Sequence, residues 1–216
     1  MKSRIYSALA LVLVLTATLA LDRASGTGWF SAALIAAVLS MGAVECHTLL
    51  RLQGRRPTGV GRALLAAGGI GLPGAFLLAL RLQEDGLLLV LYLIAVAKMT
   101  DNGALFAGRL WGRHKLAPKI SPAKTIEGVC GGLAIGVLTA VLLGPCCTSG
   151  RPGFFLLFGV TVSLLAVLGD LAESWVKRKA GVKDSGSVLP GIGGILDLMD
   201  SVLLSAPAGY LLLALR

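Results

Sequence analysis

The chain has 216 residues and a formal net charge of +9; 56% of its residues are hydrophobic and only 14% are charged. Soluble domains carry about 25% charged residues, so this composition excludes a water-soluble globule. Such a chain must lie largely in lipid, where only helices and closed barrels satisfy every backbone hydrogen bond. The apolar stretches are continuous and lack the alternation of barrel strands, and we therefore predict an all-α, polytopic integral membrane protein.

Seven apolar stretches are predicted to be transmembrane helices, since most approach the ~20 residues that cross a bilayer. They cover residues 5–21, 29–50, 63–80, 86–99, 128–150, 152–175 and 197–215. The stretch 86–99 is short, and we expect it to be tilted or broken. The first stretch also resembles a cleaved signal peptide, but its apolar run exceeds the usual ~7–15 residues and further spans follow, which favours a retained helix.

The distribution of Lys and Arg predicts the orientation of these helices. If the N-terminus is cytoplasmic, seven crossings place residues 1–4, 51–62, 98–127 and 176–196 inside, and these segments hold 16 of the 20 Lys and Arg residues. This asymmetry follows the positive-inside rule. It accounts for the basic charge without a nucleic-acid partner and predicts a multi-pass protein of the cell (inner) membrane.

Most carboxylates are predicted to lie on the cytoplasmic side. An Asp at the centre of a membrane helix costs about 2.5–3.5 kcal/mol on insertion scales, and less towards the interface, so such residues are seldom incidental. Eight of the eleven lie at or near predicted cytoplasmic helix ends: Glu45, Asp101, Glu127, Asp170, Glu173, Asp184, Asp197 and Asp200. A polar site on the cytoplasmic face is the expectation.

The segment 169–179 carries one stripe of polar side chains. Its sequence is GDLAESWVKRK, and helical spacing places on one face Asp170, Ser174, Lys177 and Arg178. A stripe that is acidic within the membrane and basic at its mouth suits metal ions below and phosphates above. A plain basic helix cap is the alternative, but an anchoring helix needs no buried acid.

Asp197 and Asp200 follow a glycine run and open the last helix on one face. Taken alone, they could simply compensate the helix dipole. Together with Asp170 they form a three-carboxylate set that suits Mg²⁺. Zinc is not expected, because the two histidines are isolated and the adjacent cysteines near residue 146 lack zinc-site spacing.

The remaining polar block spans residues 100–128, where Gly, Pro and Ser are expected to break any helix. It supplies five cationic side chains beside the carboxylates: Arg109, Arg113, Lys115, Lys119 and Lys124. A basic loop that touches anionic lipid head groups is the simpler interpretation.

This block and the run from residue 174 to 200 resemble the phosphatidate cytidylyltransferase (CDP-diacylglycerol synthase) family. The similarity covers about half the chain, including DNGA at 101–104, GR at 108–109 and ISPAKTIEG at 120–128. The family signature runs S-x-x-K-R-x(4)-K-D, then P-G-H-G-G, then D-R-x-D. In order and spacing it is matched by Ser174, Lys177, Arg178, Lys183, Asp184, Pro190, Gly191, Gly193, Gly194, Asp197 and Asp200.

Two positions depart from the signature. Ile192 stands where the family has His, and Leu198 stands where it has Arg. Neither change removes a proposed metal ligand, and a phosphate anion that attacks another phosphate needs no strong base. We therefore expect an active variant, in which Leu198 weakens one phosphate contact. Glu45 is a candidate for a further family acid.

The resemblance implies that CTP and phosphatidate react to give CDP-diacylglycerol and pyrophosphate. It implies that Asp170, Asp197 and Asp200 hold Mg²⁺, with a second cation left open, and that Ser174 and Lys177 complete the catalytic set. The implied substrate-binding residues are Arg178, Lys183, Asp184, Ser121, Lys124 and Asp101. CTP and membrane phosphatidate are then the partners, and a homodimer is compatible with the sequence.

We predict one continuous membrane domain, with N-terminal helices over residues 1–97 and the catalytic region over 98–216. Three alternatives remain. A related CTP-dependent membrane enzyme, such as a polyprenol kinase or an ether-lipid cytidylyltransferase, would act on another lipid. A degenerate relative would be non-enzymatic. A transporter would favour internal repeats, and none is evident in the sequence.

Overall fold

The computed structural model describes residues 2–52, 67–186, 188 and 193–216. Seven α-helices, one π-helical turn and two short strands occupy these residues. In chain order they are α1 (Lys2–Ser25), α2 (Trp29–Leu52), the π turn (Ala67–Gly71), α3 (Leu72–Arg81), α4 (Gly86–Trp111), β1 (Lys115–Ala117), β2 (Ser121–Thr125), α5 (Ile126–Cys147), α6 (Pro152–Lys179) and α7 (Ile195–Ala214).

The prediction of an all-α, polytopic membrane protein is confirmed. Within the described residues, five helices are long and apolar enough to cross a membrane, namely α2, α4, α5, α6 and α7. The first residues of the predicted stretch 63–80 lie outside the described part of the chain, and the total of seven crossings stays a prediction. Many large apolar side chains on these helices point outward, as a lipid environment requires.

The expected break near residue 100 is wrong, because α4 runs unbroken for 26 residues through the start of the polar block. Two of its glycines face α5 closely. A Cβ on Gly103 would lie 2.9 Å from Ile135, and one on Gly108 would lie 3.0 Å from the Thr125 hydroxyl oxygen. Glycine costs a helix up to about 1 kcal/mol relative to alanine, and here that cost is offset by close packing. Only the antiparallel β1–β2 ribbon interrupts the helices in this block.

The core is centred on α4, which packs between α5, α6 and α7. Its residues Leu89, Leu93 and Val96 are fully buried. Tyr92 stacks on Phe158 of α6, with 4.7 Å between the ring centroids, and its hydroxyl donates a hydrogen bond to a carbonyl of α5 at 2.9 Å. The phenol is therefore satisfied without water, as membrane depth demands.

Helix α5 presents a face of small residues to its neighbours. The face repeats every four positions and consists of Gly128, Gly132, Gly136, Ala140 and Gly144. A Cβ on Gly132 would lie 2.7 Å from the Thr100 carbonyl oxygen of α4. Small residues at this spacing let membrane helices approach until their backbones touch, and this contact fixes α4 against α5.

Buried charged residues lie at the two ends of the bundle. At one end Arg81 pairs with Asp22 of α1, at 3.1 Å between Nη2 and Oδ2, and joins α3 to the last turns of α1. At the other end Glu45 of α2 accepts backbone hydrogen bonds from the start of α7. Asp101, Asp170, Glu173, Asp197 and Asp200 also gather at this second end, which we call the site end.

We predict that Gly136→Ala destabilises the bundle. Its added methyl group would meet the hydroxyl oxygens of Thr100 and Ser163, which lie 2.8 Å apart and form a buried hydrogen bond. Overpacking of this kind typically costs about 1–3 kcal/mol. The matched control is Gly153→Ala, since no atom lies within 4 Å of that Cβ. Thermal unfolding in detergent should show a lower Tm for Gly136→Ala alone; equal Tm values would contradict the packing role.

Candidate active site

A cavity of about 430 Å³ opens at the site end, where α4, α5, α6, α7 and β2 meet. Its walls combine acidic and basic side chains with an apolar flank from Leu105, Val129 and Val167. The charged lining residues are Lys98, Asp101, Arg109, Lys124, Asp170, Asp197 and Asp200. Most of the charged groups predicted as site residues therefore do meet in space, and Ser121 joins them on the wall.

Three carboxylates form a compact group in or beside this cavity. Oxygen atoms of Asp170, Glu173 and Asp200 all lie within 4.8 Å of one another. Asp170 and Glu173 are one turn apart on α6, and Asp200 comes from the first turns of α7. Gly169 makes the approach possible, because a Cβ there would collide with the backbone oxygen of Asp200.

The chemistry of this group fits a hard divalent cation. Carboxylate oxygens are the ligands that Mg²⁺ and Ca²⁺ prefer. Glu173 is buried, and its Oε1 atom accepts no hydrogen bond from any residue that the structure describes. A buried carboxylate oxygen without a partner is costly unless a cation completes it. We call Asp170, Glu173 and Asp200 the acidic cluster.

Asp197, predicted with Asp170 and Asp200 as a metal ligand, is held differently. Its Oδ2 atom accepts hydrogen bonds from the backbone of Gly194 at 2.7 Å and Ser185 at 3.1 Å, and its Oδ1 atom accepts one from Lys177 at 2.7 Å. Gly193 before it has φ of 125°, which favours glycine. The side chain thus caps α7, and its role as a metal ligand stays a prediction, while by distance Glu173 is the third member of the acidic cluster.

Lys177, predicted as a phosphate ligand, is already paired in the structure. Its ammonium lies 2.9 Å from Glu173 Oε2 and 2.7 Å from Asp197 Oδ1, so it ties α6 to α7. The side chain is 14% exposed. A phosphate would have to compete with both carboxylates for this group. Its contact with substrate stays a prediction.

Lys124 and Ser174 both meet Asp170. Lys124 of β2 places its ammonium 2.6 Å from Asp170 Oδ2, and the Ser174 hydroxyl lies 3.5 Å from Oδ1. The ribbon is anchored to α5 because Thr125 accepts a hydrogen bond from the Gly128 backbone at 3.1 Å. This anchor holds Lys124 over the cavity.

The other predicted substrate-binding residues lie further out. Arg178 donates to the Ile120 carbonyl at 3.3 Å and so links the end of α6 to the ribbon. Lys183 and Asp184 are exposed in the turn after α6. Pro190, Gly191 and Ile192 lie outside the described residues. They include the position where the family signature has His and this chain has Ile192. Leu198 is half-buried.

The sequence placed Glu173 among the eight carboxylates of the predicted cytoplasmic site without a role of its own, named Glu45 as a candidate family acid, and gave no site role to Lys98. Glu173 could have been found from its i, i+3 spacing to Asp170, which puts both on one helix face. Lys98 stands three residues before Asp101 in an apolar helix, and its ammonium lies 3.3 Å from that carboxylate. Glu45 accepts hydrogen bonds from Ile195, Leu196 and Ser185, across 140 to 151 residues of chain, and no local pattern predicts them.

The fold and the site together define a class of protein: an integral membrane helical bundle with a charged cavity and a group of carboxylates at one end. Comparison with known proteins specifies the family. Residues 2–216 match the model of the Cytidylyltransferase family, and the chain belongs to that family. The resemblance predicted from the motifs is confirmed.

Named relatives agree with this membership. The chain is 43% identical over 158 residues to the phosphatidate cytidylyltransferase of Bacillus subtilis, an alignment that spans 72% of this chain and 59% of the relative. It is 37% identical over 212 residues to that of Staphylococcus haemolyticus, with 97% of this chain and 78% of the relative aligned. It is also 39% identical over 127 residues to the uncharacterized protein YnbB of Escherichia coli, covering 59% and 43% of the two chains.

We predict that Glu45→Gln destabilises the site end. The Glu45 carboxylate accepts two backbone hydrogen bonds at the positive end of α7. The Gln amide would keep one oxygen as an acceptor but would place its NH₂ group, a donor, against the second backbone N–H. Hydrogen bonds to charged groups contribute about 1.5–3 kcal/mol. The control is Glu84→Gln in the exposed α3–α4 turn. Thermal unfolding should give a lower Tm for Glu45→Gln only, and an unchanged Tm would refute the capping role.

Proposed function

We propose that this protein transfers the cytidylyl group of CTP to phosphatidate, giving CDP-diacylglycerol and pyrophosphate, in phospholipid biosynthesis. The observation that carries the proposal is the acidic cluster, which lies with Lys98 and Lys124 at the cavity of the site end. The names of the curated relatives support the same reaction.

The reaction needs positioning and charge neutralisation more than covalent help from the protein. An oxygen of the lipid phosphate attacks the α-phosphorus of CTP in line, a new phosphorus–oxygen bond forms, and the bond to the β-phosphate oxygen breaks. Pyrophosphate leaves with the electron pair. CTP and the lipid phosphate are both anions and must be held together in reacting geometry. The protein can do this by orienting them and by placing fixed positive charge beside them.

The residues present fit Mg²⁺, and Asp170, Glu173 and Asp200 would hold it. When bound, the cation would neutralise phosphate charge and orient the reacting groups. Asp197 contributes by capping α7 and so keeps Asp200 in place. Ser174 lies beside Asp170 and fixes its orientation through a 3.5 Å hydrogen bond.

Cationic side chains on the cavity wall would receive the phosphates. Lys124 lies at the acidic cluster, and Arg109 of α4 lines the same cavity with an exposed guanidinium. Guanidinium groups bind phosphate oxygens in a bidentate way. Arg178 and Lys183 stand further out, where they would meet the incoming nucleotide.

The apolar flank of the cavity suits a substrate that arrives from the bilayer. Leu105 lines the cavity and is 56% exposed, and its neighbours Phe106 and Leu110 are also exposed on α4. Phosphatidate would enter sideways from the leaflet, with its acyl chains along this face and its phosphate in the charged cavity. CTP would come from water. This arrangement requires the site end to face the cytoplasm, where CTP is found, and we propose the cell (inner) membrane as the location.

We predict that Asp170→Asn and Asp200→Asn each lower turnover at least about 100-fold, since each removes charge that stabilises a cation next to the reacting phosphates. Asp85→Asn is the matched control, because Asp85 lies in a turn at the other end with φ of 54°, which Asn adopts readily. The assay uses purified protein, labelled CTP, phosphatidate and Mg²⁺ and resolves the lipid product. Near-normal activity of either site variant would remove that residue from the site.

The same assay separates the alternatives. CDP-lipid with pyrophosphate indicates cytidylyl transfer. CDP with a phosphorylated alcohol indicates a kinase, and no nucleotide turnover by the purified, folded protein indicates a non-enzymatic relative.

We predict that the site end is cytoplasmic. The protein without its four cysteines receives single cysteines at the exposed positions Ala123, Asp184 and Ser25. In intact cells an impermeant thiol reagent should label only Ser25→Cys. Ala123→Cys and Asp184→Cys should react once the membrane is opened. Labelling of the latter two from outside would overturn the orientation, and with it the access of CTP to the site.

A further inference from the structure

Lys98 of α4 points into the site and contacts two carboxylates that lie on different helices. Its ammonium nitrogen is 3.3 Å from Asp101 Oδ2 and 3.5 Å from Asp200 Oδ1. It also donates a hydrogen bond of 2.9 Å to the Ser201 hydroxyl oxygen, which in turn donates one of 2.8 Å to Asp101. Lys98 therefore links α4 to α7 at the wall of the cavity.

A lysine at this place needs an explanation. It lies within a membrane-spanning helix, where a lysine near the bilayer centre costs about 2.5–3.5 kcal/mol on insertion scales and less towards the interface. A lysine in a membrane helix ordinarily extends its ammonium group to the aqueous interface. Lys98 instead turns inward, and its side chain is 31% exposed.

The balance of charge suggests what the lysine does. The ion pairs at the site end join five carboxylates, Asp101, Asp170, Glu173, Asp197 and Asp200, to the ammonium groups of Lys98, Lys124 and Lys177. Among these ion-paired groups of the described residues two negative charges are left over; Arg109 also lines the cavity but takes part in none of these pairs. One divalent cation at the acidic cluster neutralises them.

Each lysine serves a different part of this set. Lys124 pairs with Asp170, and Lys177 pairs with Glu173 and Asp197. Lys98 stands between Asp101 and Asp200, where two carboxylates from facing helices converge. Two ionised carboxylates this close repel each other, and a cation between them offsets the repulsion. A second metal ion would meet the same demand, and Lys98 meets it with a group of the chain itself.

We propose that Lys98 is a built-in counter-cation that limits the site to one divalent cation. The ammonium group fills the position between Asp101 and Asp200 and leaves the acidic cluster for the metal ion. The inference deepens the proposed function, since it concerns the same site. Lys98 acts as a positioning residue, through Asp200 and Asp101.

The test counts bound Mn²⁺ on the purified full chain in detergent, by electron paramagnetic resonance and equilibrium dialysis. The count includes only those bound Mn²⁺ ions that are lost in Asp170→Asn or Asp200→Asn. This comparison excludes adventitious binding to the protein surface. The wild-type protein should bind one Mn²⁺, and Lys98→Gln should bind two, because the vacated position between Asp101 and Asp200 now attracts a cation. Lys98→Arg, which keeps the charge, should bind one.

Lys179→Gln is the matched control. Lys179 lies at the end of α6, 3.6 Å from the Trp175 ring centroid, and removal of its charge should leave one bound Mn²⁺. Two ions in the wild-type protein would overturn the proposal even if Lys98→Gln did not fold. One ion in both the wild type and a folded Lys98→Gln would also overturn it. Absence of CDP-lipid product alongside the expected Mn²⁺ counts would refute the proposed function and leave this inference standing.

Discussion

The pairing of carboxylates with lysines at one end of a membrane bundle is the interaction on which the rest of the structure depends. Carboxylates near the bilayer are tolerated when they meet opposite charges, hydrogen-bond donors or a cation. Lys98, Lys124 and Lys177 come from α4, the ribbon and α6, and each reaches a carboxylate on another element or turn. Their ion pairs therefore fix the relative positions of the elements that form the cavity.

Close backbone packing makes these pairs geometrically possible. Gly169 admits Asp200 to the face of α6 that carries Asp170, and Gly132 brings α5 against Thr100 of α4. Larger residues at these positions would separate the helices, and carboxylates several ångströms further apart could no longer share one cation. The small residues of the bundle thus serve the chemistry of the site as well as its packing.

The lysines serve two demands that oppose each other. In the structure they neutralise carboxylates, while a cytidylyltransferase must also offer positive charge to the phosphates of its substrates. A cation at the acidic cluster would relieve this competition, because it adds charge where Asp170, Glu173 and Asp200 meet. Lysines whose ion pairs with these carboxylates are weakened by the cation could then bind substrate phosphates. Ion pairs in a region of low dielectric respond strongly to such changes.

The sequence by itself determined the helical membrane class and the family, because hydrophobic length and the spacing of Ser174 to Asp200 are local properties of the chain. It also singled out Asp170 and Asp200. Only the tertiary structure decided that Glu173 joins them while Asp197 caps α7, that α4 continues through Gly103 and Gly108, and that Lys98 lies between Asp101 and Asp200. Each of these depends on which faces of distant helices meet, and that is a property of packing that no local pattern contains.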